Sequence, residues 1–325
     1  MKSGEICKLP LDDIPQTEAA SRTLCAAAER DPSVWVLTAD VMRSTRTKPF
    51  STTFPDRFVN VGIAEQSMVG IAAGLATCGK VPVATAFAAM LSMRACEQIR
   101  TDVAYPNLNV KIIACSAGLS FGYSGATHHA IEDIAILRAM ANMAVIVPCD
   151  ARETQEAVHA ALNQSGPVYI RIGRTNERTV YPERLDYQIG RAVLIREGTD
   201  ITLIGCGRTT ADCVLAGDLL LNEGVKARVL DMHTVKPIDR AAVEEAASQT
   251  RLILTVEEHN VIGGLGGAVA EILAELGCST PLKRLGIPDA FPPIGSQEAI
   301  LEMYGITASH ITDVVLGRQS PSMHH

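Results

Sequence analysis

The chain has 325 residues, enough for two compact domains, since a domain averages about 150 residues. Apolar residues make up 47% and charged residues 20%, which excludes an extended disordered or fibrous protein. The net charge is −7, with both signs interspersed along the chain. Nucleic acid is therefore not an expected partner.

Neither a membrane segment nor a metal site is predicted. The most apolar stretch, Val69 to Met93, is interrupted by glycines and by Lys80 and Pro82, so it is too broken to span a membrane. Charged residues also interrupt the first ten residues, which excludes the apolar core of a signal peptide. The nine cysteines form no CxxC pair. We therefore predict a cytoplasmic protein with no membrane partner, no metal ligands of its own, and reduced, mostly buried thiols.

In the first half of the chain, short β-rich apolar runs alternate with helical patterns. This alternation is typical of βαβ units, whose parallel strands lie side by side. The predicted strands are Val34–Thr38, Val81–Phe87, Val110–Ser116, Ala144–Pro148 and Val168–Ile172. The predicted helices are Thr17–Glu29, Ala64–Thr77, Leu91–Ala104, Ile131–Ala141 and Arg152–Leu162. Asp150 and Glu153 have the spacing of a capping box at the start of the last helix.

A polar stretch from Thr175 to Gln188 shows neither periodicity, as expected for an interdomain linker. The alternation then resumes. The predicted strands are Ala192–Arg196, Ile201–Gly205, Ala227–Asp231, Leu252–Val256 and Pro281–Leu285. The predicted helices are Thr209–Asn222, Arg240–Ser248, Leu265–Leu276 and Gln297–Tyr304. We therefore predict an α/β protein with two open, mainly parallel-sheet domains, residues 1–185 and residues 186–325.

Two glycine-rich turns in the second half resemble nucleotide-binding motifs. The turn from Gly205 to Thr210 joins a strand to a helix, and Asp231 ends the next strand, but Thr210 replaces the third glycine of a dinucleotide motif. The run from Gly263 to Gly267 also begins a predicted helix. Both turns favour close packing over phosphate binding.

A clearer functional pattern follows the strands of the first predicted sheet. An apolar strand from Phe58 ends at Gly62, and the next helix opens with the carboxylate of Glu65. The segments 87–100 and 118–129 follow two further strands. Because open α/β sheets bind ligands at the carboxyl ends of their strands, we expect these segments to form one site.

These motifs, in this order, resemble the transketolase family. Its pyrimidine-binding domain is matched by Val61–Gln66, Thr85–Phe87, Arg94–Arg100, Gly122–His129 with Glu132 and Asp133, and Val147–Asp150. Residues 191–316 are similar to its C-terminal domain. Full-length transketolases also carry an N-terminal domain whose Gly-Asp-Gly motif holds metal and diphosphate, and no such domain precedes these motifs here. The resemblance implies the C-terminal subunit of a split transketolase.

The resemblance also implies a cofactor and its ligands. The cofactor is thiamine diphosphate, and an N-terminal partner subunit, in a heterotetramer, supplies the ligands for diphosphate and Mg²⁺. Glu65 is the catalytic carboxylate that hydrogen-bonds the aminopyrimidine ring, and Phe87 and Met90 pack against that ring. Met90 replaces a residue that is usually aromatic, although a thioether still favours a ring by about 1 kcal/mol. His128 is a second catalytic residue, which contacts substrate oxygens and relays protons.

For the substrate, the resemblance implies a phosphosugar bound by Arg22, Ser44 and Arg174, because guanidinium groups suit a phosphate dianion. Two further substrate-binding positions depart from the family. Ser124 stands where an Asp usually binds a donor hydroxyl, and Ser116 stands where a phosphate-contacting His is common. These departures leave the donor open, and a modified ketose is one candidate.

The predicted reaction moves a two-carbon ketol unit from a ketose phosphate to an aldose acceptor. Three alternatives stay open: the beta chain of a 2-oxoacid dehydrogenase, a deoxyxylulose-phosphate synthase-like enzyme, and a non-catalytic transketolase-like scaffold subunit. The loop with His128 and the pair Arg22 and Arg174 favour transketolase over the dehydrogenase. The synthase is normally a single long chain. A scaffold would have no use for the carboxylate of Glu65.

Overall fold

Twelve strands form two sheets within residues 9–318, the part of the chain that the computed structural model describes. In chain order they are β1 (Val34–Thr38), β2 (Phe58–Asn60), β3 (Val81–Phe87), β4 (Lys111–Cys115), β5 (Ala144–Ile146), β6 (Val168–Arg171), β7 (Val193–Arg196), β8 (Ile201–Gly205), β9 (Ala227–Asp231), β10 (Thr234–Lys236), β11 (Ile253–Asn260) and β12 (Leu282–Ile287). The strands lie within a few residues of the predicted ones, with β10 as an addition.

The first sheet has the strand order β10, β5, β6, β4, β3, β1, β2, and the second has the order β12, β11, β8, β9, β7. All pairs in the first sheet are parallel except β10 with β5, and all pairs in the second are parallel except β7 with β9. The predicted α/β class with two open, mainly parallel sheets is therefore confirmed.

Helices connect the strands and cover the sheets. They are α1 (Gln16–Arg30), α2 (Lys48–Thr53), α3 (Glu65–Thr77), α4 (Cys96–Gln98), α5 (Asp133–Arg138), α6 (Ala151–Asn163), α7 (Thr209–Asn222), α8 (Arg240–Gln249), α9 (Leu265–Glu275), α10 (Gln297–Met303) and α11 (Ala308–Leu316). Two short π-helices flank α4, so residues 91–104 form a helical segment, as predicted, but not a regular α-helix. Such turns are frequent near functional sites.

Each strand presents side chains to both faces of its sheet, and one face of the first sheet shares an apolar core with one face of the second. On one face of the first sheet, Leu24 of α1 packs with Val36 of β1. On the other face, Met68 of α3 belongs to a core that continues to Ile204 and Ile253 of the second sheet. The remaining face of the second sheet packs against α7, α10 and α11.

A buried arginine joins the two halves through polar contacts. Arg171 of β6 donates from Nε to Asp133 Oδ2 over 2.9 Å, and from Nη2 to the carbonyl oxygens of Ala130 and Glu258, each over 2.9 Å. The Tyr169 hydroxyl donates to the same Asp133 carboxylate over 2.8 Å. Because Glu258 belongs to β11, one side chain ties the first sheet to the second.

The segment 175–188 contains no helix or extended strand, as predicted, but it is fixed in place. The Asp150 Oδ2 atom accepts hydrogen bonds from the backbone N–H groups of Val180 and Tyr181, each over 2.8 Å. The Tyr181 hydroxyl donates to Asp231 of β9 over 2.9 Å. Asp150 also caps α6 by accepting from the Glu153 N–H over 2.7 Å, which confirms one half of the predicted capping box. The Glu153 carboxylate accepts from the Cys149 N–H over 2.7 Å instead of from Asp150.

Three elements were not predicted from the sequence. The strand β10 and the helix α2 are too short to show a period, whereas α11 has apolar residues at helical spacing, which was an available signal. Pairing with β5 defines β10, so a segment from the second half of the chain completes the first sheet.

The described cysteines are free thiols, and Cys115, Cys149, Cys206 and Cys213 are buried. Cys78 is exposed, so fewer thiols are buried than the sequence suggested. Cys7 lies outside the described residues. Among residues 9–318, none of the helices combines the length and apolar character that crossing a bilayer requires.

Buried carboxyl groups between the sheets predict a pH-dependent stability. Burial raises the pKa of Glu177 to about 7 and the pKa of Asp231 to about 6, whereas carboxyl groups of an unfolded chain titrate near pH ~4. The folded state therefore binds more protons than the unfolded chain in this interval. The stability that these protonated carboxyl groups contribute is fully present below their unfolded pKa and is lost as pH rises through their folded pKa.

Glu177→Gln cannot ionise. We therefore expect the free energy of unfolding of this variant, measured relative to that of the wild type, to be about 2–4 kcal/mol higher at pH ~8 than at pH ~5. Urea unfolding at both pH values measures this difference. Glu183→Gln, an exposed change in the same segment, should show no such pH dependence. An equal effect of Glu177→Gln at both pH values would contradict the prediction.

Candidate active site

Most of the predicted site residues lie at the carboxyl edge of the first sheet. Phe87 ends β3, the segment from Ser116 to His128 follows β4, and Arg174 follows β6. Because β3, β4 and β6 are parallel neighbours, the chain leaves all three at the same edge. Glu65 begins α3 shortly after β2, which is parallel to β1 in the same sheet.

Glu65 is a buried carboxylate at a helix N-terminus. It is the first residue of α3, where the helix dipole favours negative charge, and only 5% of its side chain is exposed. Its Oε2 atom accepts a hydrogen bond from Arg94 Nη1 over 2.6 Å. Its Oε1 atom accepts no hydrogen bond from residues 9–318. One carboxylate oxygen is therefore available to a ligand.

Phe87, Phe121, His128 and Arg174 form an aromatic cluster. The centroid of the Phe121 ring lies 5.8 Å from that of Phe87 and 5.1 Å from that of His128. The centroids of the Phe87 and His128 rings are 5.6 Å apart. The guanidinium carbon of Arg174 lies 3.9 Å from the centroid of the Phe121 ring. Three predicted site residues thus meet around a ring that the sequence patterns did not single out.

His128 is suited to proton transfer near neutral pH. Burial lowers its pKa, and the nearby charges of His129 and Arg174 lower the pKa further. The imidazole is therefore neutral at pH ~7 and can accept a proton. Its Nδ1 atom lies 2.9 Å from the Thr127 hydroxyl, which leaves Nε2 for a substrate.

The two serines that depart from the family pattern differ in accessibility. Ser124 is half-buried in the turn Gly122–Thr127, beside the aromatic cluster. Ser116 has a left-handed backbone, with φ of 54°, and its Oγ atom is buried without a hydrogen-bond partner among the described residues. Such strain and an unpaired hydroxyl are typical of functional sites, but the hydroxyl of Ser116 is closed to solvent.

The remaining predicted residues differ in position. Met90 is half-buried three residues after Phe87 and packs against the core, so it lies at the same edge of the sheet. Arg22 is exposed on α1, where it pairs with Glu18 over 2.6 Å. Ser44 lies half-buried in the turn after β1. Neither Arg22 nor Ser44 makes a hydrogen bond or an ion pair with the aromatic cluster within residues 9–318.

The second half of the chain fixes the loop that carries Ser124 and His128. The Oε1 atom of Glu258 accepts from the Leu119 N–H over 3.2 Å and from Gln297 Nε2 over 2.6 Å. The backbone of Gly295 packs so closely on Gly122 that a Cβ atom added there would lie 2.4 Å from the Gly295 carbonyl oxygen. The loop is therefore held between the two sheets.

Three residues of this region were missed as site residues. Phe121 directly precedes the matched glycine motif, so an aromatic residue in a segment of glycine and serine was the available signal. Arg94 lies within a matched motif but had no assigned role. Glu258 gave no signal, because its contact with Leu119 joins residues 139 positions apart.

The two glycine-rich turns of the second half are packed structural turns. Asp231, which would bind a ribose in a dinucleotide site, is buried and accepts hydrogen bonds from the hydroxyls of Tyr181 and Thr210, over 2.9 and 3.1 Å. Glu257 accepts hydrogen bonds from two backbone N–H groups at the start of α9, over 2.7 and 2.8 Å. The protein's own carboxylate thus occupies the place that a phosphate would take.

Cys149, Glu153 and Asp231 form a buried cluster whose potential metal-binding atoms lie within 4.8 Å of one another. Burial raises the pKa of Glu153 well above its usual range and the pKa of Asp231 to about 6, so both carboxyl groups favour their neutral forms, which are poor metal ligands. A thiol is also not a ligand that Mg²⁺ prefers. None of the three side chains bonds to Glu65 or to the aromatic cluster.

Comparison with known proteins identifies both halves. Residues 12–179 match the family described as transketolase, pyrimidine binding domain, and residues 190–311 match transketolase, C-terminal domain. A 6-deoxy-6-sulfo-D-fructose transketolase subunit of Clostridium sp. (strain MSTE9) is 40% identical over 87% of this chain and 88% of that protein. A subunit of an apulose-4-phosphate transketolase from Phocaeicola vulgatus is 39% identical over 90% of this chain and 94% of that protein.

A solved structure described as a split gene transketolase, inactive beta4 tetramer, is 43% identical, with a TM-score of 0.86. The match covers 94% of this chain and 98% of that chain. The fold and the overall sequence similarity therefore indicate the same family as the motifs around the first sheet. The chain belongs to the transketolase family.

We expect Gly122→Ala to lower the free energy of unfolding by about 1–3 kcal/mol, because the added methyl group must displace the backbone of Gly295. Urea unfolding measures the change. Gly74→Ala is the matched control, since a Cβ atom in the middle of α3 meets nothing within 4 Å. It should be neutral or stabilising by up to about 1 kcal/mol. A Gly122→Ala chain as stable as the wild type would show that the two halves do not clamp this loop.

Proposed function

We propose that this chain is the C-terminal subunit of a split, thiamine diphosphate-dependent transketolase. It transfers a two-carbon ketol unit from a ketose with a terminal phosphate or sulfonate to an aldose acceptor, and it is active only with an N-terminal subunit. The observation that carries the proposal is the meeting of Phe87, His128 and Arg174 at the sheet edge where Glu65 begins α3. The expected cytoplasmic location stays a prediction.

The residues at this edge fit the aminopyrimidine end of the cofactor. A buried carboxylate with one oxygen free of hydrogen bonds suits a ring N–H donor, and Phe87 and Met90 provide half-buried apolar surface for a ring face. The cofactor, when bound, supplies the nucleophilic carbon that takes up and passes on the ketol unit. Glu65 would hold the ring through a hydrogen bond at its free oxygen, and Arg94 orients the carboxylate through the other oxygen.

Arg174 and His128 would contact the substrate. The Arg174 side chain makes no hydrogen bond or ion pair with residues 9–318, so its donors are available to an anion. The names of two relatives specify one substrate with a sulfonate group and one with a phosphate group, and both groups offer tetrahedral oxygen atoms to a guanidinium. Neutral His128 accepts a proton from a substrate hydroxyl at Nε2, and Ser124 offers a hydroxyl in place of the usual carboxylate.

An uncovered apolar patch beside Glu65 supports a partner subunit. Ile63, Ile71 and Met93 are 78%, 41% and 54% exposed, and Gly70 and Gly74 leave open space on the same helix, α3. Ile63 lies two residues before Glu65, and Met93 directly precedes Arg94, the hydrogen-bond partner of Glu65. Exposed apolar side chains near a site are typical of protein interfaces. We place the N-terminal subunit here, in a heterotetramer, with its own residues binding Mg²⁺ and the diphosphate.

We expect Glu65→Gln to lower the turnover of the reconstituted enzyme by about 100-fold or more, because the amide cannot share the ring proton as a carboxylate does. Steady-state assays with the N-terminal subunit, thiamine diphosphate and Mg²⁺ measure this. Glu244→Gln, an exposed change on α8, should leave turnover unchanged. Near-wild-type turnover of Glu65→Gln would refute the role of Glu65.

The same assay separates the proposal from its alternatives. Ketol transfer between sugars supports it, whereas decarboxylation of pyruvate alone would identify the dehydrogenase. Formation of 1-deoxyxylulose 5-phosphate would identify the synthase, and a complex without turnover would identify a scaffold.

We expect Ile71→Glu to weaken assembly with the N-terminal subunit by about tenfold or more, since a charge would be buried in the apolar interface. Size-exclusion chromatography with light scattering, over a range of concentrations, measures assembly. Leu221→Glu on α7 is the control, because Leu221 is 57% exposed but belongs to the second half. Equal assembly of both variants would place the interface elsewhere.

A further inference from the structure

We infer that Phe121 is a positioning residue that holds the guanidinium of Arg174 for an anionic group of the substrate. The inference rests on the proposed function, since it names the residue that makes this site select substrates with a terminal phosphate or sulfonate. Phe121 has no role in the proposed function so far, and its side chain carries no group that could donate or accept a proton.

The stacking geometry carries the first step. The Arg174 guanidinium carbon lies 3.9 Å from the centroid of the Phe121 ring, the arrangement in which a ring face attracts a cation. A ring attracts a guanidinium without accepting the hydrogen bonds that its N–H groups donate to oxygen atoms. Those donors can form the paired hydrogen bonds that phosphate and sulfonate oxygens accept.

The arginines nearest in the chain differ from Arg174 in their partners. Arg57 also lies over a ring, 4.3 Å from the centroid of Phe54, but it donates to the backbone carbonyls of Ala28 and Asp31. Arg171 pairs with Asp133 over 2.9 Å, Arg178 pairs with Asp212 over 2.9 Å, and Arg208 pairs with Glu177 over 3.5 Å. Arg174 has no carboxylate partner in the part of the chain that the structure describes, and an aromatic ring takes that place. A ring orients the cation without neutralising it, so the positive charge stays available to a ligand.

Phe121 also contacts the residues assigned to the reaction. Its ring meets His128 edge-on, at an interplanar angle of 78° and a centroid distance of 5.1 Å, and it meets Phe87 at a centroid distance of 5.8 Å. The same ring thus contacts the cation, the residue that moves protons and the residue that faces the cofactor. A change at Phe121 can therefore be followed at His128.

The test compares Phe121→Leu, which removes the ring, with Phe121→Tyr, which keeps it. In the first measurement, inorganic phosphate is titrated into this chain while the imidazole signal of His128 is followed by NMR. We expect Phe121→Leu to weaken phosphate binding by about tenfold and Phe121→Tyr to change it less than about twofold. Loss of the ring should also raise the pKa of His128 toward the ordinary histidine value, since His128 is then less buried and Arg174 is no longer held near it.

The second measurement uses the reconstituted enzyme with fructose 6-phosphate and fructose as donors. We expect Phe121→Leu to raise KM about tenfold for the phosphorylated sugar only, with kcat within about twofold, whereas Phe121→Tyr restores the wild-type KM. A purely structural role would instead lower kcat for both sugars. Equal changes in KM for both sugars would overturn the inference.

The two measurements also separate this inference from the proposed function. If the wild-type enzyme transfers no ketol unit, the proposed function fails, but the phosphate titration still decides the role of Phe121. Phosphate binding by the wild type that Phe121→Leu leaves unchanged would overturn the inference. The absence of any phosphate effect on wild-type His128 would overturn it as well.

Discussion

The charge of Arg171, buried between the two sheets, is the constraint on which the rest of the structure depends. Its guanidinium is satisfied only when Asp133, the Ala130 carbonyl and the Glu258 carbonyl are all in place. Asp133 and Ala130 belong to the first half of the chain, whereas Glu258 belongs to the second sheet. Losing a hydrogen bond to a charged group costs about 1.5–3 kcal/mol. The second sheet therefore cannot move away from the first without removing one acceptor from this buried guanidinium, and the carboxylate of Glu258 also holds Leu119 of the loop from Gly118 to His129.

The clamped loop gives the site its rigidity and its division of charge. At one end, Glu65 offers a carboxylate that is fixed by α3 and by Arg94. At the other end, Arg174 offers a cation that is fixed by the face of Phe121. Neutral His128 lies against the same ring. A carboxylate, a neutral base and a cation thus lie at one edge of the first sheet. The carboxylate is paired with Arg94, whereas Arg174 packs on a ring and keeps its charge for a ligand.

Much of this arrangement followed from local patterns. The periodicities located β1, β3 and α3 to within a residue, because each element has one face or both faces in the core. The motifs around Glu65, Phe87 and His128 were recognisable since their residues are close together in the chain. The contacts of Phe121 and Glu258 were not, because a cation stacked on a ring and a carboxylate bonded to a distant N–H leave no spacing pattern. The substrate contact predicted for Arg22 stays a prediction, since the structure shows this side chain exposed on α1 and paired with Glu18.

The sequence by itself determined the α/β class, the order of the strands along the chain, the family, and the residues that begin α3 and end β3. These features depend on interactions among near neighbours, namely hydrophobic periodicity, helix capping and short motifs. Only the tertiary structure decided that β10 completes the first sheet, that the segment 175–188 is fixed rather than loose, and that Phe121 carries Arg174. The physical reason is that buried polar groups must find partners wherever the fold brings them, and those partners come from any distance along the chain.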